Sequence, residues 1–243
     1  FHTRTTVVWG AEADEVELNG NAATPEEARK VLAALDRLAP GRPRCLVRSS
    51  NDFPTAAGLA SSSSGFAALM LAASCAAGLD LATGDLAVHA RLASGSATRS
   101  LHGGWVEWPM GTRLDGTDSH GVPVADADWW DLRMVVAIVG AGRKGLSSTE
   151  GMVHTEATSP YFPAWTRHAE ADVVAAIRAV KDRDLAALGP IVERSSLRMH
   201  ASMFAADPAV IYWKPASLAC LEVVRGLRGL GVDAWATMDA GPN

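Results

Sequence analysis

The stretch that most constrains the fold is FPTAAGLASSSSGFAALML, residues 53–71, where small and hydroxyl-bearing residues run directly into an apolar segment. The helical spacing of that segment predicts a buried helix at about residues 61–78. The start of such a helix gathers unpaired backbone N–H groups and about half a positive charge, which suits a phosphate group. A serine-capped helix that uses small residues for tight packing explains the same stretch equally well. Spacing alone leaves both interpretations open.

The overall composition is that of a globular chain. It has 243 residues, of which 48% are hydrophobic and 20% charged, enough for one large domain or two small ones. A net charge of −5 and an isoelectric point near 5.8 argue against a nucleic-acid partner, which usually requires a basic surface. Since no apolar stretch reaches roughly 18 residues, the sequence predicts no membrane span.

Cysteine and histidine usage argues against a disulfide framework and against a metal site. The three cysteines are odd in number and widely spaced, which predicts reduced, buried thiols in a cytoplasmic protein: they are Cys45, Cys75 and Cys220. The seven histidines form no HxxxH or HExxH pattern, so we predict no metal-ligating residue. His102 and His200 are interpreted as structural. Because the chain opens with Phe1 and stops in a turn-like string, we expect it to be part of a longer protein.

Strands and helices are predicted in different regions of the chain. The predicted strands cover residues 4–9, 14–18, 45–50, 103–108, 132–139 and 234–237. The predicted helices cover residues 24–38, 61–78, 84–95, 162–181, 184–205 and 215–229. The stretch 111–128 is rich in Gly and Asp and is predicted to be a loop. This arrangement predicts an α+β protein of two lobes that meet near residues 125–135.

Two glycine-containing stretches can be compared with known nucleotide-binding motifs. The first part of the stretch discussed above, residues 53–65, is called here the serine loop. It is not a Walker P-loop, because no lysine follows Gly65. The string Gly140-Ala-Gly142-Arg143-Lys144-Gly145 matches GxGxxG after a predicted strand, as a dinucleotide-binding turn does. The helix predicted at 162–181 occupies the place where that motif requires a second strand. We therefore favour a loop between lobes, with Arg143 and Lys144 solvated or facing phosphate.

Two further strings carry candidate chemistry. In Ser94-Gly-Ser96-Ala-Thr-Arg99, two hydroxyls and a guanidinium at a helix end could bind a carboxylate or a diphosphate. Arg99 could equally complement the helix dipole and nothing more. Asp239 follows a predicted strand and leads into Gly-Pro, a position from which a carboxylate could act as a general base. An ordinary turn aspartate explains that position as well.

Taken together and in order, four motifs resemble one family. They are Asn51-Asp-Phe-Pro-Thr-Ala-Ala-Gly-Leu-Ala-Ser-Ser, Gly95-Ser-Ala-Thr-Arg-Ser-Leu-His-Gly-Gly, Ser147-Ser-Thr-Glu-Gly-Met and Thr237-Met-Asp-Ala-Gly-Pro-Asn. The combination closely resembles diphosphomevalonate decarboxylases, members of the galactokinase, homoserine kinase, mevalonate kinase and phosphomevalonate kinase (GHMP) superfamily. The likeness runs from His2 to Asn243.

The resemblance implies a fold and a reaction. The fold would be the two-lobed α+β GHMP-kinase type, with a ribosomal protein S5 domain 2-like N-terminal lobe at 1–128 and a ferredoxin-like C-terminal lobe at 129–243, and an active site in the cleft between them. The reaction would be the ATP- and Mg²⁺-dependent decarboxylation of (R)-5-diphosphomevalonate to isopentenyl diphosphate, CO₂, ADP and phosphate. A homodimer is implied as well, with no nucleic-acid or membrane partner.

The resemblance also implies roles for individual residues. Asp239 would lie beside the 3-hydroxyl of the substrate, and Arg99 would hold the substrate's carboxylate end. Ser94 and Ser96 would contact the substrate. The ATP phosphates would lie against the serine loop and near a second-lobe serine: Gly58, Ala60, Ser61, Ser62, Ser63 and Ser148. The chain departs from the family pattern without losing a charged catalytic group, at Asp52, Ser63, Ser64 and Thr98. The family's substrate-site lysine and tyrosine belong to a segment expected before Phe1.

Two other functions are compatible with these motifs. A sister enzyme could use a monophosphorylated mevalonate, or could stop after 3-phosphorylation. A non-catalytic small-molecule-binding protein could retain the same fold. The intact Met238-Asp-Ala-Gly-Pro string favours decarboxylation over a kinase-only role.

Overall fold

The computed structural model describes residues 2–53, 60–140 and 145–243. The chain divides into two compact units, the first ending at Ala127 and the second beginning at Asp128. The first unit combines sheets with helices, and the described part of the second consists of helices and extended segments.

A four-stranded sheet forms one side of the first unit. Its strands are β1 (Thr3–Trp9), β2 (Glu15–Leu18), β3 (Asn21–Ala22) and β4 (Cys45–Asn51), in the spatial order β1-β4-β2-β3. β4 is antiparallel to β1 and parallel to β2. Valines from three of these strands point to one face of the sheet and are buried, as the alternation of a half-buried sheet requires. The strands predicted at 4–9, 14–18 and 45–50 are confirmed.

Three helices cover the buried face of this sheet: α1 (Pro25–Leu38), α2 (Ser61–Ala76) and α3 (Thr83–Ala93). α1 begins with a capping box, in which Thr24 and Glu27 bond each other's backbone N–H groups. Leu35 and Met70 are fully buried in the shared core, each contributing about 2 kcal/mol through burial. All three predicted helices are confirmed.

A short hairpin follows α3. Its strands, β5 (Trp105–Glu107) and β6 (Val122–Ala125), pair antiparallel. The prediction of a strand at 103–108 is confirmed, whereas the loop predicted at 111–128 is wrong over β6. Val-Pro-Val-Ala carries too few residues for a readable alternation, so only its pairing with β5 identifies it as a strand.

Four helices form the described core of the second unit: α4 (Ser148–Thr158), α5 (Phe162–Asp182), α6 (Leu185–Phe204) and α7 (Pro215–Gly229). Asp172 on α5 accepts hydrogen bonds from Arg194 and Arg198 on α6, with N–O distances of 2.7 and 2.8 Å. The predictions for α5, α6 and α7 are confirmed. α4 was missed, although Ser147 and Glu150 form a capping box at its start that is readable as S-x-x-E.

The prediction of strands at 132–139 and 234–237 is wrong, because neither segment pairs with a strand in the described part of the chain. Met134 and Val135 are 78% and 92% exposed, despite their apolar character. A strand exists only when its backbone groups pair with a neighbouring strand. In the 234–238 segment, side chains of α6 and α7 bond the backbone instead.

The three cysteines differ in exposure, and each is a thiol that forms no disulfide. Cys45 is buried in the core and Cys220 is half-buried, whereas Cys75 is exposed near the end of α2. The prediction of buried thiols is therefore wrong for Cys75, which lies on the outward face of that helix, as does the exposed Leu71.

Candidate active site

The start of α2 has an unusual backbone. Ala60, the residue before the helix, adopts a left-handed conformation with φ of 53° and ψ of 30°, and its carbonyl accepts a hydrogen bond from the N–H of Ser63 at 2.9 Å. Among the described residues, no side chain caps this helix end. The serine-cap interpretation is therefore not what the structure shows, and the positive end of the helix dipole lies at this uncapped start. Gly58 and the rest of residues 54–59 lie outside the described residues.

Hydroxyl pairs join the first turn of α2 to the segment that follows α3. Ser94 Oγ donates to Ser62 Oγ at 3.4 Å, and the hydroxyls of Ser63 and Ser100 lie 2.8 Å apart. Ser63 is buried, whereas Ser62 is exposed. The structure thus brings together residues that the sequence predicted as separate phosphate-binding and substrate-binding groups.

Arg99 follows a 3₁₀ turn, Gly95–Thr98, which changes the chain direction after α3. The N–H of Arg99 bonds the carbonyl of Ser96 at 3.2 Å, and buried Thr98 holds the turn by accepting the N–H of Gly121 at 2.7 Å. The Arg99 side chain itself is exposed. Because Ser100, its neighbour in sequence, bonds Ser63, the backbone at Arg99 is held close to the start of α2.

Asp239 lies on a segment that is anchored on both sides. Its side chain is exposed, while the following residues 240–242 are buried. Ser217 Oγ donates to the carbonyl of Pro242 at 2.6 Å. The side chain of Asn243 accepts the N–H groups of Val139 and Gly140 at 2.7 and 3.0 Å. A carboxylate is thus presented to solvent from a firmly held backbone.

Two residues that the sequence reasoning did not assign to the site bond the backbone next to Asp239. Ser196 Oγ donates to the Met238 carbonyl and accepts the Met238 N–H, both at 2.9 Å. His200 Nε2 donates to the same carbonyl at 3.2 Å. Burial lowers the pKa of His200, so its ring stays neutral. Glu193, Ser196 and His200, three and four positions apart, form a polar face on α6 that is visible in the sequence, but the sequence does not indicate which segment that face bonds.

Ser148 is the first residue of α4 and is exposed. It is the second-unit serine that the sequence predicts near the transferred phosphate. The Tyr212 hydroxyl donates to the carbonyls of Leu146 and Ser147, at 3.3 and 3.1 Å, and so holds the chain that enters α4. The GxGxxG string cannot be compared with a dinucleotide-binding turn, since residues 141–144 lie outside the described residues.

The described ranges contain no group of three or more His, Cys, Asp and Glu side chains placed to hold a metal ion. No residue of the chain is therefore assigned to a metal. Within the same ranges, no helix is both long and apolar enough to cross a membrane.

The fold and the serine-bounded helix start place the chain in the class of GHMP-kinase-type α+β proteins. A solved mevalonate diphosphate decarboxylase from Staphylococcus aureus superposes with a TM-score of 0.87 at 32% identity, covering 99% of this chain and 74% of that one. A second structure, MDDEF in complex with MVAPP, AMPPCP and magnesium, superposes with a TM-score of 0.86 at 35% identity, covering 99% and 75% of the two chains.

Sequence comparison narrows the class to one family. A diphosphomevalonate decarboxylase-like N-terminal domain matches residues 1–121, and a mevalonate 5-diphosphate decarboxylase C-terminal domain matches residues 134–243. Diphosphomevalonate decarboxylase mvd1 of Aspergillus fumigatus is 38% identical over 95% of this chain, which spans 62% of that relative's length. The chain belongs to the diphosphomevalonate decarboxylase family.

Proposed function

We propose that the protein carrying this chain catalyses the ATP-dependent decarboxylation of (R)-5-diphosphomevalonate to isopentenyl diphosphate, ADP, phosphate and CO₂, in the mevalonate route to isoprenoids. The observation that carries the proposal is the exposed Asp239 carboxylate on its anchored segment. Family membership and the ligands named for the MDDEF complex support the same substrate and nucleotide.

The residue roles are part of the proposal. The ATP phosphates lie against the serine loop and near α4. The substrate carboxylate is held by Arg99, and Ser94 and Ser96 contact the substrate. Residues 1–128 form the ATP-binding lobe and 129–243 the second lobe. In ATP binding, the left-handed Ala60 and the start of α2 supply oriented N–H donors. The phosphate-binding residues are Gly58, Ala60, Ser61, Ser62, Ser63 and Ser148.

The chemistry begins with phosphoryl transfer. The tertiary 3-hydroxyl is a poor leaving group, and its oxygen attacks the γ-phosphorus of ATP while ADP departs. Asp239 accepts the hydroxyl proton as the new O–P bond forms. Phosphoryl transfer depends mainly on positioning and charge neutralisation, to which the start of α2 contributes. Magnesium, when bound with ATP, neutralises part of the phosphate charge.

Elimination follows. The C3–O bond breaks and phosphate leaves with the electron pair, so positive character develops at C3. The C1–C2 bond then breaks, its electrons form the C2=C3 double bond, and C1 leaves as CO₂. After Asp239 has released the accepted proton to solvent, its restored negative charge favours the positive character at C3, while Arg99 orients the departing carboxylate.

The decisive experiment measures ADP and labelled CO₂ from the protein at its full natural length. The assay supplies ATP, magnesium and either the 5-diphosphate or the 5-monophosphate of mevalonate. We expect equal amounts of ADP and CO₂ with the diphosphate. CO₂ with the monophosphate alone would identify the sister decarboxylase, ADP without CO₂ a 3-kinase, and neither product a binding protein.

We also propose that the protein is a homodimer in the cytoplasm. Both statements rest on the family resemblance and on an overall composition typical of globular cytoplasmic chains. Light scattering on the full-length protein measures the mass of the assembly. Fractionation of the source cells locates the protein.

A further inference from the structure

The segment that carries Asp239 is held along one edge by a helix. A stripe on α6, called here the α6 stripe, consists of Gly189, Glu193, Ser196 and His200. These residues are spaced by four, three and four positions, so they lie on one face of the helix. They face the extended segment 234–238, whose residues 234, 236 and 238 point backbone groups to the same side.

Each polar member of the stripe bonds that backbone. Glu193 Oε2 accepts the N–H of Ala236 at 3.1 Å, and Ser196 both donates to and accepts from Met238. His200 donates a second hydrogen bond to the Met238 carbonyl. These side chains therefore occupy the place that a neighbouring strand takes in a sheet.

The stripe is itself held rigidly. Arg228 of α7 makes a bidentate ion pair with Glu193, with N–O distances of 2.9 and 3.0 Å, and also bonds the Ala234 carbonyl. His200 is 1% exposed, and the Trp213 ring lies 5.4 Å from its ring centroid. Few rotamers are open to a buried ring packed in this way. The lowered pKa of His200 is consistent with its neutral, Nε2-protonated form.

We propose that Ser196 and His200 are positioning residues, which set the place of the Asp239 carboxylate through their bonds to Met238. The inference rests on the proposed role of Asp239 as the proton acceptor. Every bond to Met238 acts one residue away from Asp239. Displacing a reacting group by about 1 Å lowers the rate by up to roughly 100-fold. Loss of the bonds to Met238 should therefore lower kcat by shifting the Asp239 carboxylate.

The experiment compares Ser196→Ala with Ser196→Thr, which keeps the hydroxyl. Ser202→Ala is the matched control, because the Ser202 hydroxyl is buried on the same helix and, within the described part of the chain, bonds the Met199 carbonyl alone. We expect Ser196→Ala to lower kcat roughly 10-fold or more with the KM for ATP nearly unchanged. The threonine variant recovers most of kcat, and Ser202→Ala retains it.

A second pair of variants, at His200, tests the proposal independently in case the serine variants misfold. The amide of His200→Gln can still donate to the Met238 carbonyl, whereas His200→Leu cannot. We expect kcat to fall more in the leucine variant. Equal kcat in Ser196→Ala and wild type, or an equal loss in Ser202→Ala, overturns the proposal.

Hydrogen exchange separates this inference from the proposed function. The Met238 amide of Ser196→Ala should exchange faster than in wild type and in Ser202→Ala. Unchanged exchange overturns the positioning role. If wild type releases no CO₂ with any substrate, the proposed function fails, and the exchange comparison still decides whether the stripe holds this segment.

Discussion

Asp239 illustrates how a single residue combines exposure with a fixed backbone. Its carboxylate is exposed, whereas Ala240 behind it is 7% exposed. The backbone carbonyl of Asp239 accepts the Gly241 N–H at 2.7 Å. A side chain in this position can change without disturbing a core. Substitution at Asp239 therefore tests chemistry more than folding.

We expect Asp239→Asn to lower kcat by roughly 10²- to 10⁴-fold, because an amide cannot take up the hydroxyl proton. The melting temperature and the affinity for ATP should stay close to those of wild type. Steady-state kinetics, calorimetric nucleotide titration and circular dichroism measure the three quantities. Near-normal turnover would refute the assigned role.

Asp14 illustrates a residue that contributes to stability rather than to chemistry. It pairs with Arg42 at 2.8 Å and accepts the N–H of Cys45 at 2.9 Å. The hydrogen bond from Arg42 is the main cause that lowers the Asp14 pKa to about 2. Burial raises the pKa of the Cys45 thiol to about 11, so that thiol stays protonated at neutral pH.

Because the folded-state pKa of Asp14 lies below its ordinary value, its contribution to stability is present above pH ~4 and is lost as the pH falls toward ~2. We expect Asp14→Asn to lower the free energy of unfolding at pH 7 by about 1 kcal/mol, after allowance for solvent screening. The variant should also depend less on pH in the acid range. Urea unfolding between pH 3 and pH 7 measures both effects.

Asp36→Asn is the matched control, since Asp36 contacts the same arginine at 2.9 Å but is 63% exposed. An exposed pair contributes little, so this variant should behave like wild type. Equal losses in both variants would contradict the special role of Asp14.

At the scale of secondary-structure elements, α6 shows how closely a helix packs on an extended segment. Gly189 is buried on its inner face, and a Cβ added there would overlap the indole ring of Trp235. That indole is also stacked under Arg228, whose guanidinium carbon lies 4.4 Å from the ring centroid. A glycine inside a helix usually weakens it; here it permits the contact.

We expect Gly189→Ala to destabilise the protein by about 1–3 kcal/mol, because the added methyl group has no space beside a rigid ring. Gly226→Ala in α7 is the matched control, since nothing lies within 4 Å of its added Cβ. That variant should gain up to about 1 kcal/mol from helix propensity. Thermal unfolding of both variants measures the difference. A gain in both would show that Trp235 moves aside without cost.

At the scale of the whole chain, the predicted site residues are divided between the two units. Ser62, Ser63 and Arg99 belong to the first unit, whereas Ser148 and Asp239 belong to the second. In the first unit, hydroxyl pairs hold the start of α2 against the segment after α3. In the second unit, the α6 stripe and the hydrogen bonds of Asn243 hold the segment that carries Asp239. The proposed reaction requires ATP and magnesium in addition.

We expect chelation with EDTA to abolish turnover and to leave the melting temperature unchanged. Magnesium commonly binds through substrate phosphates with one or two carboxylates, so it enters with the nucleotide rather than as part of the fold. Activity assays and thermal unfolding, with and without added magnesium, check this expectation. A large fall in melting temperature on chelation would identify a structural metal instead.

The strongly patterned parts of the chain were predictable. α1 was readable from Thr-Pro-Glu-Glu and its apolar spacing, and β1 from its run of β-branched threonines and valines. α4 was also readable from Ser147 and Glu150, but its polar content concealed it. β6 was missed because its four residues become a strand only by pairing with β5. The apolar string at 132–139 predicted a strand that the structure does not pair.

The sequence suggested candidate site residues, but it did not suggest the contacts that hold them. Motif resemblance named Ser62, Arg99 and Asp239. The contacts that hold them are long-range, such as Ser63 with Ser100 and Ser196 with Met238. Single hydrogen bonds between distant positions leave no periodic trace in the sequence.

The sequence by itself determined the family, the helical content and the identity of the charged groups, because local propensity, apolar period and motif order are all written along the chain. Only the tertiary structure decided that Ser62 and Ser94 meet, that α6 bonds the edge of segment 234–238, and that a glycine seats Trp235. The physical reason is that hydrogen bonds and close packing join groups far apart in sequence, and folding alone determines which of them meet.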